Sequence, residues 1–287
     1  MSTRKTLRAL AEARRGVLVP GAFNALSARV VEDLGFDAIY VTGAGVTNMW
    51  FGLPDQGFMG LHEIADHTAR IRDAVALPLI VDADTGFGNA LNVRHTVRVL
   101  ERAGADCIQF EDQVAPKRCG HFSGKDVIST EEAVDKIKAA VDARTDADLL
   151  VMARTDAAAT LGFEAAIERA QKFSEAGADI LFVEAVTTAE QIRALPRRLA
   201  KPQLMNMVIG GKTPIFGAEE LAGLGYGIVL YANAALQGAV AGMQKALTVL
   251  RETKRIDEDP ALVVPFAERQ RLVRKPELDA LEKRYAS

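Results

Sequence analysis

Cysteine is nearly absent: Cys107 and Cys119 are the only two in 287 residues. Two thiols build no disulfide framework, so a reducing cytoplasm is the expected setting. Histidine is almost as scarce, and His62, His67, His95 and His121 fall at spacings that fit no zinc site. No window reaches the roughly 18 uninterrupted apolar residues of a membrane span. Residues 1–15 are charged and lack the apolar centre of a secretion signal. The formal net charge is −3 with no basic block, which argues against a nucleic-acid partner. No Gly-x-Gly-x-x-Gly turn follows the first apolar run, so a dinucleotide-binding open sheet lacks its signature.

What the chain does have is apolar and charged residues in regular order. They make up 49% and 25% of it, enough for a sizeable core. Short runs rich in Val and Ile near 17–20, 37–42, 79–83, 106–110, 149–153, 179–183, 203–207 and 227–231 read as strands. Helical periods lie near 24–34, 61–75, 92–103, 130–143, 163–176, 188–199, 217–223 and 234–251. Strict alternation implies parallel strands with crossover helices. Eight units favour a single closed α/β domain over residues 1–287, a (β/α)8 TIM-type barrel, over a doubly wound sheet. One junction recurs at Leu34-Gly35-Phe36-Asp37, Ala103-Gly104-Ala105-Asp106 and Ala176-Gly177-Ala178-Asp179, more weakly at Leu224-Gly225-Tyr226-Gly227. Glycine just past a helix end supplies the left-handed conformation that stops it. Residues from about 251 to 287 are charged with small apolar islands and cannot form a ninth unit. They read as a helical tail, either packed on a neighbouring subunit or loose.

In such a barrel the chemistry gathers at the carboxyl ends of the strands. Strand two ends in Tyr40-Val41-Thr42-Gly43-Ala44, strand three in Asp82-Ala83-Asp84, and strand four in Glu111-Asp112. Strand five ends in Arg154-Thr155-Asp156, strand six in Glu184, strand seven in Asn206 and strand eight in Asn233. Asp82, Asp84 and Glu111, with Asp55 as a fourth, form a hard oxygen set suited to Mg²⁺ or Mn²⁺; the alternative is that one or two cap the following helices. Residues two apart on a strand face one way, which would put Asp82 and Asp84 together. Arg154 offers a planar fork for a substrate carboxylate, or a partner for Glu184 or Asp156. His62, His67 and His95 fall on outer helices and read as surface residues. The pentapeptide Lys-Arg-Cys-Gly-His at 117–121 sets Cys119 among cations, which lower a thiol's pKa and fit it for proton transfer. Cys107, in an apolar run, reads as structural. The glycine-containing stretch 120–124 reads as a lid.

Taken in order, Gly52-Leu53-Pro54-Asp55, Asp82-Ala83-Asp84-Thr85-Gly86-Phe87-Gly88, Glu111-Asp112-Gln113, the 117–121 pentapeptide, Ala153-Arg154-Thr155-Asp156 and Gly210-Gly211-Lys212-Thr213-Pro214 resemble the isocitrate lyase and phosphoenolpyruvate mutase superfamily. The resemblance covers nearly the whole chain and is strongest to its methylisocitrate lyase and dimethylmalate lyase branch. It implies a (β/α)8 barrel with its last helix swapped between neighbours, a homo-oligomer built as a dimer of dimers, Mg²⁺ as cofactor, and a small dicarboxylate as substrate. Thr42, Gly43 and Ala44 would hold a carboxylate through backbone donors. Asp82 and Asp84 would hold the metal with Glu111 in support. Cys119 would be the general acid/base, flanked by Lys117 and His121, with Gly120 a backbone contact. Arg154, Glu184 and Asn206 would bind substrate, and Tyr40, Asp55 and Thr213 would complete the pocket.

The implied reaction is retro-aldol cleavage of a 2-substituted malate, such as 2,3-dimethylmalate, to a 2-oxo acid and a monocarboxylate. The alternatives are 2-methylisocitrate cleavage to pyruvate and succinate, oxaloacetate hydrolysis or decarboxylation, mutase chemistry, which Cys119 argues against, and a non-catalytic scaffold. Gln237 stands where methylisocitrate lyases carry an arginine, which favours a dicarboxylate. Ile209 replaces a glutamate common in relatives and is expected to remove a charge near the pocket. Thr160 stands where oxaloacetate hydrolases carry serine.

Overall fold

The computed structural model describes residues 2–118, 120, 124 and 126–286. In chain order its elements are α1 (Thr3–Glu12), β1 (Val17–Ala22), α2 (Ala25–Asp33), β2 (Ile39–Val41) and α3 (Gly43–Val46), which runs into a π-type turn (Thr47–Phe51). Then come α4 (Leu61–Ala74), β3 (Leu79–Asp82), α5 (Ala90–Arg102), β4 (Cys107–Glu111), α6 (Thr130–Ala143), β5 (Leu150–Thr155), α7 (Ala157–Thr160), α8 (Phe163–Glu175), β6 (Ile180–Val183) and α9 (Ala189–Arg198). The chain closes with β7 (Gln203–Asn206), α10 (Ala218–Leu224), β8 (Ile228–Tyr231), α11 (Ala234–Thr253), α12 (Phe266–Leu272) and α13 (Lys275–Tyr285). The eight strands form one closed parallel barrel in sequence order, β8 returning to pair with β1. The (β/α)8 expectation is met.

Alternation along each strand builds two cores. Inward residues such as Val19, Ile80, Cys107, Met152, Ile180 and Leu204 fill the barrel interior. Outward residues such as Ile39, Val81, Ile108, Val151, Leu181 and Val229 pack under the helices. Strand residues buried on both faces give continuous apolar runs, which is why those runs were the clearest signal in the sequence. Outer helices start on side chains that accept from their first turn: Asn24, Asn89, Ser129 and Thr188. The junction glycines stop them as expected, Gly104 at φ 99° and Gly177 at φ 101°.

The amino-terminal end of the barrel is closed by α1, an element absent from the strand–helix count. Its Leu7 and Ala11 join the interior core. Thr3 donates to Asp106 at 2.6 Å, Arg4 to Asp146 at 2.7 Å and Arg8 to Asp179 at 3.0 Å. The fourth junction ends in Gly227 because α1 lies against it: a Cβ there would meet the Ala11 carbonyl at 2.4 Å.

One expectation needs correction. His67 is not a surface residue: it is buried, with its ring edge-on to Trp50 at 4.7 Å. The Trp50 ring packs against a helix position that periodicity alone assigned to solvent. His62 and His95 are exposed, as expected. The tail is two helices that reach back to their own barrel, where Arg271 pairs with Asp33 at 2.6 Å and Arg274 with Glu32 at 3.1 Å. Between barrel and tail, the 20-residue α11 buries only Leu236 and leaves Val240, Met243, Leu247 and Leu250 exposed. Among the described residues no helix is long and apolar enough to cross a membrane.

Candidate active site

The carboxyl ends of the strands bring the sequence-selected acids together. Asp82 ends β3 and its carboxylate is held from three sides. It accepts from Gly43 N at 3.3 Å, from Asp84 N at 3.2 Å and from Gln109 Nε2 at 3.2 Å. Gln109 in turn accepts from the Tyr40 hydroxyl at 2.7 Å. Asp84 lies beyond the strand with φ 47°, so pleat alternation is not what aims it. Its direction comes from the left-handed turn and from Lys117, whose Nζ stands 2.9 Å from Asp84 Oδ1 and also pairs with Asp55. Burial pushes the Asp84 carboxyl up to about 7, against the pull of Lys117. Burial alone would lower the Lys117 ammonium, but Asp84, Asp55, Glu111 and Asp82 together hold it well above lysine's ordinary value. Lys117 is thus a charged group inside the acid set.

Arg154 points inward from β5, beside Glu111 on β4 and Phe182 on β6 in the barrel register. Its fork is bidentate to Asp156, Nε at 2.9 Å and an Nη at 3.1 Å. Glu111 lies 3.3 Å and Glu184 3.6 Å away, and the guanidinium carbon sits 5.1 Å from the centre of the Phe182 ring. Those three carboxylates hold its pKa high despite full burial. Asp112 braces this arrangement, accepting from Thr155 Oγ1 at 2.7 Å and from Asp156 N at 2.9 Å. Burial raises Asp112 to about 6. Burial likewise raises Glu111, whose Oε1 has no hydrogen-bond partner among the described residues.

A cavity of about 50 Å³ opens between these groups. One wall is polar: Tyr40, Thr42, Asp82, Arg154, Glu184 and Asn206. The opposite wall is Phe182, Val208, Leu230 and Ala232, with Asn233 at its edge and Gly120 as the cover. Asn206 donates to Glu184 at 3.1 Å, while its Oδ1 and that of Asn233 are buried without partners among the described residues. Gly120 lies so close that a Cβ would come within 2.5 Å of an Arg154 Nη and 2.6 Å of Glu184 Cγ.

Most expected site residues therefore converge, with some differences. Gly43 lines no part of the cavity, and its N–H is taken by Asp82 rather than left for substrate. Thr213 is buried but stands outside the cavity wall, as does Thr160, which bonds the α7 backbone. Ile209 is exposed; Val208 is the residue of that loop that faces the pocket. Gln237 is exposed beyond the first turn of α11. Cys119 and His121 lie outside the described residues. The apolar wall was not singled out from sequence, although Phe182 shares a strand face with Glu184, and Leu230 precedes Ala232 by the same two-residue step.

The donor chemistry fits a hard divalent cation. Among the described residues the acid set offers only oxygen ligands, and Glu111 Oε1 is a buried acceptor without a hydrogen-bond partner there. Among the described residues no three acidic, histidine or cysteine side chains close on a common point, so no all-protein cage exists. Mg²⁺ does not require one: it keeps several waters and takes one or two carboxylates. Asp82 and Asp84 are carboxylates of that kind, close together at the end of β3.

The sequence profile described as phosphoenolpyruvate phosphomutase matches residues 7–251. The chain is 41% identical to the 2,3-dimethylmalate lyase of Eubacterium barkeri, over all of this chain and 99% of that one. It is 49% identical to the 2-methylisocitrate lyase of Aeropyrum pernix, over 86% of this chain and 78% of that one. Among solved structures it superposes on phosphonopyruvate hydrolase in complex with oxalate and Mg²⁺, with a TM-score of 0.89, 31% identity and 99% coverage of both chains. On both sequence and fold, the chain belongs to the phosphoenolpyruvate phosphomutase family of the isocitrate lyase superfamily.

Proposed function

We propose that this chain is a Mg²⁺-dependent carbon–carbon lyase that cleaves a 2-substituted malate, such as 2,3-dimethylmalate, to a 2-oxo acid such as pyruvate and a monocarboxylate. The observation that carries the choice of a dicarboxylate is the charge of the cavity wall. Among the described residues lining it, Arg154 is the only cation. Lys117 is already engaged by Asp55 and Asp84. One substrate carboxylate can lie on Arg154, and the other on the side of the acid set that takes the metal. A third carboxylate would meet no further cation among the described residues of this wall, and burying one unpaired is costly. Val208 and Leu230 offer apolar contacts for small alkyl substituents.

Asp82 and Asp84, directly or through water, with Glu111 in support, would hold Mg²⁺, which would supply positive charge to stabilise an alkoxide at C2. The rest falls to the chain. Tyr40, Thr42 and Ala44 line the end of the cavity near Asp82. Arg154, fixed by Asp156, Glu111 and Glu184, orients the distal carboxylate. The 2-hydroxyl gives its proton to a carboxylate of the acid set, C2–O becomes a carbonyl as the C2–C3 bond breaks, and the bonding pair stays on C3 beside the distal carboxylate. The Cys119 thiol gives its proton to C3, and takes it back in the reverse direction. Lys117 and His121 flank the thiol and support its charge changes, and Gly120 covers the cavity against water. The exposed apolar residues of α11 are assigned to contact with another copy of the chain, as an oligomer would require.

Release of 2-oxo acid in the presence of Mg²⁺, followed through lactate dehydrogenase, tests this across 2-methylmalate, 2,3-dimethylmalate, 2-methylisocitrate and oxaloacetate. Preference for the substituted malates is expected. Preference for 2-methylisocitrate, favoured by the 49% identity to that lyase, would mean a cation outside this wall reads the third carboxylate. Cys119→Ser should bind substrate and lose nearly all cleavage; if it retains most turnover, the acid/base role is wrong. Asp82→Ala should lose activity together with Mg²⁺ binding, read by calorimetry.

A further inference from the structure

We propose that Gln113 is the positioning residue for the segment that bears Lys117, Cys119 and Gly120: its side-chain amide grips the Arg118 peptide backbone and sets where that segment lies against Arg154 and Glu184. The inference rests on the reading of that segment as catalytic.

Gln113 is 1% exposed and follows β4, two residues after Glu111. Its Nε2 donates to the Arg118 carbonyl at 2.8 Å, and its Oε1 accepts from Arg118 N–H at 2.9 Å. One planar group thus holds both polar atoms of a single residue's backbone, as a neighbouring strand would. That fixes direction as well as position. Because only backbone is gripped, the contact does not depend on the side chain at 118.

The grip has a firm base. Gln113 pairs with Val127 in an antiparallel bridge. On either side, Val114 N donates to the Asp126 carbonyl and Ile128 N to the Asp112 carbonyl, each at 2.9 Å. Below them Arg169 of α8 ties both feet of the loop together, donating to the Asp112 carboxylate at 3.3 Å and to the Ile128 carbonyl at 2.8 Å. The consequences extend along the segment. Lys117, just before the gripped residue, stands 2.9 Å from Asp84. Gly120, two residues after it, leaves no room for a Cβ against Arg154 and Glu184. A proton donor carried here works only within a narrow tolerance, and a shift of about 1 Å can cost about a hundredfold in rate.

The test is Gln113→Met, of similar length and without hydrogen bonds, in the Mg²⁺-loaded enzyme. On the best malate, kcat should fall roughly 10- to 100-fold with KM within about twofold, and the melting temperature should hold. A second readout needs no turnover. Cys107 is buried inside the barrel, so iodoacetamide modification of the folded protein reports position 119. With Mg²⁺ and oxalate present, Gln113→Met should be alkylated several times faster than wild type. Gln113→Asn keeps the amide one methylene short and should behave the same way. Unchanged alkylation and kcat overturn the proposal. So does a variant that loses melting temperature, KM and kcat together, because Gln113 would then be serving the barrel at large. If wild type cleaves none of the malates, the lyase reading fails, and the alkylation contrast still decides the role of Gln113.

Discussion

The two ends of the barrel partner their acids to different degrees. At the amino-terminal end three acids are matched several times over. Asp106 accepts from Thr3, Arg72 and Leu79 N; Asp179 accepts from Arg8, Arg144 and Val151 N; Glu101 accepts from Arg4 and the Thr145 and Asp146 N–H groups. At the carboxyl end, Asp84 and Glu111 are pushed up by burial, and buried oxygens of Glu111, Asn206 and Asn233 lack partners among the described residues. One end spends its charges on the fold. The other holds them in reserve for what it will bind.

That contrast predicts a double dissociation. Glu111→Gln should lower kcat by about 10²- to 10³-fold, the usual cost of losing one preorganised polar group. Its melting temperature should not fall, because a buried charge is removed while Arg154 keeps Asp156 and Glu184. Asp179→Asn should do the reverse, lowering stability by roughly 2 kcal/mol by urea titration with kcat/KM within about twofold of wild type. If both substitutions cost activity and stability alike, the two ends are not distinct.

Acidity sharpens the same contrast. The Asp84 carboxyl rises from 3.8 to about 7 on folding. Between those values the folded chain keeps a proton that the unfolded chain has released, so its contribution to stability falls as pH rises through that window. Calorimetry from pH 5 to 7 should show a less negative slope of melting temperature for Asp84→Asn than for wild type. Added Mg²⁺ should raise the melting temperature more at pH 8 than at pH 6, since it binds the deprotonated acids. The smallest effect is expected far from both ends: Arg271→Ala breaks exposed ion pairs to Asp33 and Glu268, which contribute little, and should leave the melting curve in place.

The upper end was legible in sequence because barrel chemistry follows strands directly: Asp82, Glu111, Arg154, Glu184 and Asn206 all end or follow an apolar run. The lower end was not, because its pairs join residues far apart in the chain, as Arg8 and Asp179 do. Lys117 was read as a neighbour of Cys119, and nothing local revealed that its ammonium reaches Asp55 and Asp84. Gln113 was part of a motif without a role, since its partner is a backbone. His67 was misassigned because Trp50, whose ring packs against it, comes from the irregular turn ahead of its own helix, where no period shows.

The repeated helix–strand junction has a consequence for how this scaffold can change. At two of its four occurrences the terminal aspartate accepts an N–H from the start of the strand before it: Asp106 from Leu79, the first residue of β3, and Asp179 from Val151, the second of β5. In each case an arginine from the end of the helix that precedes that strand, Arg72 of α4 or Arg144 at the end of α6, joins the same carboxylate. Each acts as a latch on register, because a one-residue slip of either strand would carry the N–H out of reach and turn the side chains to the other face. With the stagger of β3 against β4 and of β5 against β6 secured from below, residues on the opposite rim are free to be exchanged one at a time. New substrates can then be explored without the barrel having to be rebuilt around them.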